Sequence, residues 1–172
     1  MDHQGCQRLA LSFFAVALVC LPIVASAKNS HVQIKGPGLA PGAKPAGATL
    51  SRDALRNCVE AQQRINANAD ALDREELANS EEVKRLDQLS TEIDKRSEGI
   101  DRQRESSVEA YNELVDRHAR AVEQYNASVP RYNLKSHQHY KEVLDFDAKC
   151  AHKAYYKGDL RAISDAVGKI KK

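Results

Sequence analysis

Apolar residues recur every three and four positions along most of this chain. From Leu55 the stripe passes through Cys58, Ile65, Ala69, Leu72, Val83, Leu86, Ile93 and Ile100, with Gln62, Glu76, Asn79, Ser90 and Ser97 at its polar sites. A second stripe passes through Val108, Tyr111, Val115, Val122, Tyr125, Val129, Tyr132, Val143, Phe146 and Cys150, with His118, Ser136 and His139 at its polar sites. Steps of three and four keep to one face of a helix, and sustained over heptads they describe a seam between two helices. The spacing predicts two long helices. Ser51 is placed to cap the first, with Asp53 in its first turn where a carboxylate suits the helix dipole.

The punctuation residues divide the rest. The stretch from Gly36 to Ala48 holds four of the eight glycines and three of the five prolines, so residues 28–50 read as a flexible Gly/Pro/Ala-rich linker. Between residues 48 and 157 the only glycine is Gly99 and the only proline Pro130, too little turn chemistry for an all-β or α/β fold. Gly99 and a capping box at Ser106 and Glu109 mark a turn near 99–106 inside a hairpin spanning 51–157. Gly158 reads as the residue that stops the second helix. A short helix over 159–172 follows, with Leu160, Ile163, Val167 and Ile170 on one stripe. Its expected place is the open end of the hairpin, near the disulfide; an amphipathic partner-binding or membrane-surface helix is the alternative.

The first 27 residues change the compartment. A polar start, an apolar run from Leu9 to Val24 and Ala25-Ser26-Ala27 form a secretory signal peptide, residues 1–27. The run is shorter than the roughly 20 residues of a spanning helix and contains Pro22, so no stable membrane span is expected after cleavage. Val19 before Cys20 is too large for lipoprotein processing. The expected location is the bacterial periplasm, or secretion.

Cleavage leaves Cys58 and Cys150, an even pair in an oxidising space, which argues for one disulfide; two buried free thiols are the alternative. In an antiparallel hairpin, facing residues have numbers of constant sum. Joining Cys58 to Cys150 sets that sum at 208 and centres the turn at residue 104, beside Gly99 and Ser106. It also sets Val83 opposite Tyr125, Ser97 opposite Tyr111, and Asn79 level with Val129, so a bend is expected near Asn79 and Pro130. A competing three-helix bundle would turn at Asn79-Ser80 and again at Pro130. It misplaces the two cysteines by about 15 Å along the helix axes, beyond disulfide reach.

Composition then restricts function. With 26 basic against 24 acidic residues and a net charge of +2, the chain lacks the charge excess of a nucleic-acid binder. The sequence contains no GxSxG, HExxH or phosphate-loop pattern, and a two-helix ribbon offers little room for a catalytic cleft. A non-enzyme without cofactor is expected. His137 and His139, two apart on a helix, point about 200° from each other and cannot chelate one ion, so no metal is expected. All six tyrosines follow residue 110, and Tyr111-Asn112, Tyr125-Asn126 and Tyr132-Asn133 repeat at heptad multiples on one helix face. They are candidates for an aromatic and amide ladder that binds a protein partner, with simple seam filling as the alternative.

Three segments, Leu55-Arg56-Asn57-Cys58, Tyr125-Asn126-Ala127-Ser128-Val129 and Cys150-Ala151-His152-Lys153-Ala154-Tyr155, resemble a group of small exported proteobacterial coiled-coil proteins. The resemblance covers roughly residues 51 to 160 and implies an exported helical hairpin without a particular activity. The chain is also similar, more loosely, to the Skp/OmpH periplasmic chaperones in its signal peptide, size and helical arms, which implies client holding.

The expected fold is all-α: a long antiparallel helical hairpin of coiled-coil type, pinned by a disulfide, plus a short C-terminal helix. The expected role is a structural or protein-interaction module, with an unidentified protein partner or a second copy; a holdase is the alternative. Asp87, Glu92 and Asp94 mixed among Lys84, Arg85 and Lys95 favour interaction over a client-holding surface of one character.

Overall fold

The computed structural model describes residues 29–45 and 47–170. The expected leader, residues 1–27, lies outside them. Helix α1 runs from Arg52 to Gly99 and α2 from Glu105 to Phe146. They pack along each other as a hairpin, and a short helix α3, Lys157–Ile170, packs on the base of α1. The all-α hairpin with a C-terminal helix is therefore the fold.

Ser51 caps α1 as its sequence predicts, its hydroxyl accepting from the Ala54 N–H at 3.2 Å. The turn is built differently from the expected capping box. The Asp101 carboxylate accepts from Gln103 N at 3.1 Å, and the Asp101 carbonyl accepts from Arg104 N at 3.1 Å. This local turn starts α2 at Glu105, and Ser107 rather than Ser106 closes it by accepting from Asp101 N at 3.3 Å.

The disulfide joins Cys58 to Cys150 with Cα atoms 5.7 Å apart. Cross-seam polar contacts follow the same register: Tyr132 donates to Glu76, Ser128 lies against Asn79, Lys135 pairs with Glu75 and Arg64 with Glu142. Both helices continue through Asn79 and Pro130, so the alternative with turns there is excluded. Beside the proline, the Ser128 hydroxyl lies 2.7 Å from the Tyr125 carbonyl and 3.2 Å from Asn79 Oδ1, giving polar groups at this level local partners.

Towards the turn, the buried stripe departs from the expected one. Val83 is 43% exposed, while Leu86 and Leu114 are buried at 9% and 0% and Leu89 is half-buried. A small rotation of each helix brings Leu89, Leu114 and Ala121 inward and leaves Ser90 and Ser97 in water. Leucine burial outweighs the exposure of one valine.

The segment expected to be a flexible linker is instead a strap. Residues 29–36 lie extended along α1, with Val32 and Ile34 turned inward and His31, Gln33 and Lys35 outward. Val32 N donates to Asn66 Oδ1 at 2.7 Å, Asn66 Nδ2 donates to the Val32 carbonyl at 3.1 Å, and Ile34 N donates to Gln62 Oε1 at 3.1 Å. Lys35 N then reaches the Ala151 carbonyl at 2.7 Å. Strand β1, Gly38–Leu39, pairs in parallel with β2, Tyr155–Tyr156, and Thr49 bridges to Ala154. Gly36 passes so close to the Lys153 carbonyl that a Cβ there would overlap it.

The base of the hairpin therefore has a core of several elements. Cys58, Ile65, Phe146, Cys150 and Ala151 pack with Val32, Ile34 and Leu50. Leu55 and Val59 pack with Ile163, Val167 and Leu160 of α3. Gly158 does not end α2: that helix gives way at Asp147–Ala151 to a π-turn containing Cys150, and Gly158 is the second residue of α3.

Candidate protein-binding groove

A pair of helices has two long furrows, one on each side of the line of contact. In this hairpin the strap fills one of them at the base. The five steps from Asn29 to Ile34 cover about 16 Å of extended chain, and the eleven steps of α1 from Gln62 to Asp73 rise by about the same. An extended segment therefore meets the helix at regular intervals: Asn29 at Asp73, His31 at Asp70, Val32 at Asn66 and Ile34 at Gln62.

The opposite furrow is open. A hollow of about 450 Å³ lies against the disulfide, floored by Ile65, Phe146, Ala54 and Ala61. A second, of about 320 Å³, continues towards the turn between Asn68 and Ala71 of α1 and Gln138 and His139 of α2, and the two share Glu142. Ion pairs span this face at two levels, Arg64 to Glu142 at 3.9 Å and Lys135 to Glu75 at 2.8 Å.

His139 sits at the bottom of the second hollow. Its side chain is 5% exposed, it faces the helix contact, and neither ring nitrogen has a hydrogen-bond partner. Buried polar groups in folded proteins are nearly always partnered, and this imidazole is the exception among the side chains that line the hollow. His137 is exposed on another side of the helix and His118 is half-buried. Among the described residues no group of three or more His, Cys, Asp or Glu side chains could hold a metal ion. Nor, among them, is any helix long and apolar enough to cross a membrane.

The tyrosine and asparagine pairs are divided between seam and surface. Tyr132 is buried at 7% with its hydroxyl 3.2 Å from Glu76 Oε2, so it belongs to the helix contact. Tyr111 and Tyr125 are half-buried, Asn112 and Asn126 exposed, and Asn133 half-buried. The three pairs line up along α2, but their rings do not form one open ladder. Exposed apolar surface lies elsewhere, at Tyr140, Leu144, Leu134 and Leu77.

Sequence reasoning located the disulfide that lies at the groove floor and missed the amides that grip the strap. Gln62 counts in the heptad pattern as a weak polar seam position, whereas it and Asn66, four residues on, hold a foreign backbone. The available signal was the Val32-Gln33-Ile34 alternation, a short strand pattern inside a segment dominated by glycine and proline. No family model, curated protein or solved structure matches this chain.

Proposed function

We propose that this chain is a non-catalytic protein-interaction module of an exported compartment, working as a disulfide-stapled hairpin with one long furrow closed by its own strap and the other free for a partner. The observation that carries the reading is the asymmetry between the two furrows at the base. One is filled by an intramolecular strand; the other has an apolar floor, amide-bearing rims and a buried imidazole without a partner. A narrow, rigid two-helix frame suits presentation of a surface, and a disulfide is compatible with an oxidising, exported setting.

Crosslinking of the mature chain in periplasmic extract, followed by recovery under non-reducing conditions, tests the reading. One or a few stoichiometric adducts, or a defined oligomer of the chain itself, are expected. General suppression of the aggregation of unfolded exported proteins, without a discrete adduct, would replace it with a holdase.

A further inference from the structure

We infer that the open furrow binds a segment of partner polypeptide in extended form, apolar at alternate positions, as the opposite furrow binds residues 29–36 of this chain. The inference rests on the interaction reading above and names its site and the chemistry of its occupant.

The strap shows what this pair of helices can do with an extended backbone. Carboxamides on α1 take the place of a neighbouring β-strand, that of Asn66 both accepting from and donating to Val32. The side chains of Val32 and Ile34 enter the space between the helices. The open furrow carries carboxamides too, at a wider spacing, and the Asn68 amide donates to Glu142 across it at 3.5 Å, a contact an occupant would replace. Asn57 and Asn68 stand on its α1 rim, eleven residues apart, the same interval that separates Gln62 from Asp73 under the strap. Gln138 stands on the α2 rim. The small side chains of Ala54, Ala61 and Ala71 keep the α1 wall low enough for a backbone to approach.

His139 supplies the independent observation. A neutral imidazole has one N–H donor and one acceptor nitrogen. It lines the second hollow with neither used, and because both nitrogens are closed to solvent an occupant meets them only once the ring turns outward. A peptide group offers both a carbonyl and an N–H, so an extended backbone provides what an apolar helix surface would not.

The rim charges define the rest of the occupant. Arg64, Lys135 and Lys149 are each paired with a carboxylate of the same face, Glu142, Glu75 and Asp145. Lys141 is the groove cation without an ion-pair partner among the described residues. The face therefore suits a segment of alternating apolar residues carrying little net charge, with one acidic side chain near the disulfide end.

The test uses the full mature chain, isotopically labelled for NMR, and as the probe a blocked synthetic peptide of residues 28–37 carrying Lys28→Gln and Lys35→Glu, which leaves one acid at the end that meets the disulfide and no lysine, with a control peptide that also carries Val32→Ser and Ile34→Ser. Saturable shifts are expected at the backbone amides of Ala54, Ala61, Asn68 and Ala71 and on the His139 ring, while the side-chain amides of Gln62 and Asn66 stay in place. The serine peptide and the exposed-site variant Asn68→Ala, with its helical circular dichroism unchanged, should each bind about tenfold more weakly. Shifts confined to Gln62 and Asn66, absence of binding at millimolar peptide, or self-association that covers the same amides would each overturn the inference. A crosslinked partner mapping to Asn112 and Asn126 would also overturn it, while leaving the interaction reading intact.

Discussion

The hydroxyl of Tyr132 donates to the Glu76 carboxylate at 3.2 Å, eighteen residues further from the open end on each helix than the Cys58–Cys150 disulfide. Both pairs therefore belong to one register, held covalently at one level and by a hydrogen bond five turns away. Removing only the hydroxyl should cost about 1 kcal/mol, because the buried ring stays and a charge-assisted bond is lost. Tyr132→Phe is expected to lower the melting temperature by about 3 °C. Tyr125→Phe, at a half-buried ring whose hydroxyl has no partner among the described residues, should change it by less than about 1 °C. Equal effects of the two substitutions would mean that the Glu76 contact contributes nothing.

The disulfide closes a loop with a sequence separation of 92. In the chain-entropy model such a link contributes about 4 to 5 kcal/mol. The double variant Cys58→Ser, Cys150→Ser should melt on the order of 10 °C lower. Hydrogen exchange should then rise first at the base, at Lys35 and Leu50, whose amides are held by Ala151 and Ala154 next to the bridge. Loss of protection beginning at the turn would contradict the base as the stapled unit.

Gly36 is the tightest point of the strap. An alanine there would drive its Cβ into the Lys153 carbonyl, a backbone atom that cannot turn aside. Gly36→Ala should cost about 1 to 3 kcal/mol and release the amides of Val32 and Ile34 to exchange. Gly47→Ala is the control, since nothing lies within 4 Å of the added methyl. If the two variants exchange alike, the strap is not held at Gly36.

Much of this architecture is written in local residue patterns, and the parts that are not have a common cause. Ser51, the two heptad stripes and the cysteine pair each act through spacing along one helix or through a single covalent bond, so they can be read in order. The strap depends on residues far apart in the chain: Val32 and Ile34 are stable only because Gln62, Asn66 and Ala151 satisfy the backbone between them. Taken alone, two apolar residues beside a glycine and proline tract look like a linker. The rotation that turns Leu89 inward in place of Ser90 is similar, since two stripes compete on α1 and only the side chains that the facing helix supplies, Leu114 and Ala121, decide between them. The open furrow was the least legible feature, because it is a gap between two helices and has no residue pattern of its own.

His139 offers the sharpest trial of whether that gap is a site. A buried imidazole with two unpartnered nitrogens is unfavourable for folding, and replacing it with an apolar side chain of similar size removes that penalty. His139→Leu should therefore raise stability by about 1 to 3 kcal/mol, read as a higher denaturant midpoint with an unchanged slope. The same variant should bind the residue 28–37 peptide more weakly than the wild type, because the polar group at the floor of the furrow is gone. A gain in stability together with a loss of binding is the signature of a residue kept for function at the expense of the fold. A loss of stability would instead show that solvent already satisfies the imidazole, and the furrow would then lack the group that selects a peptide backbone.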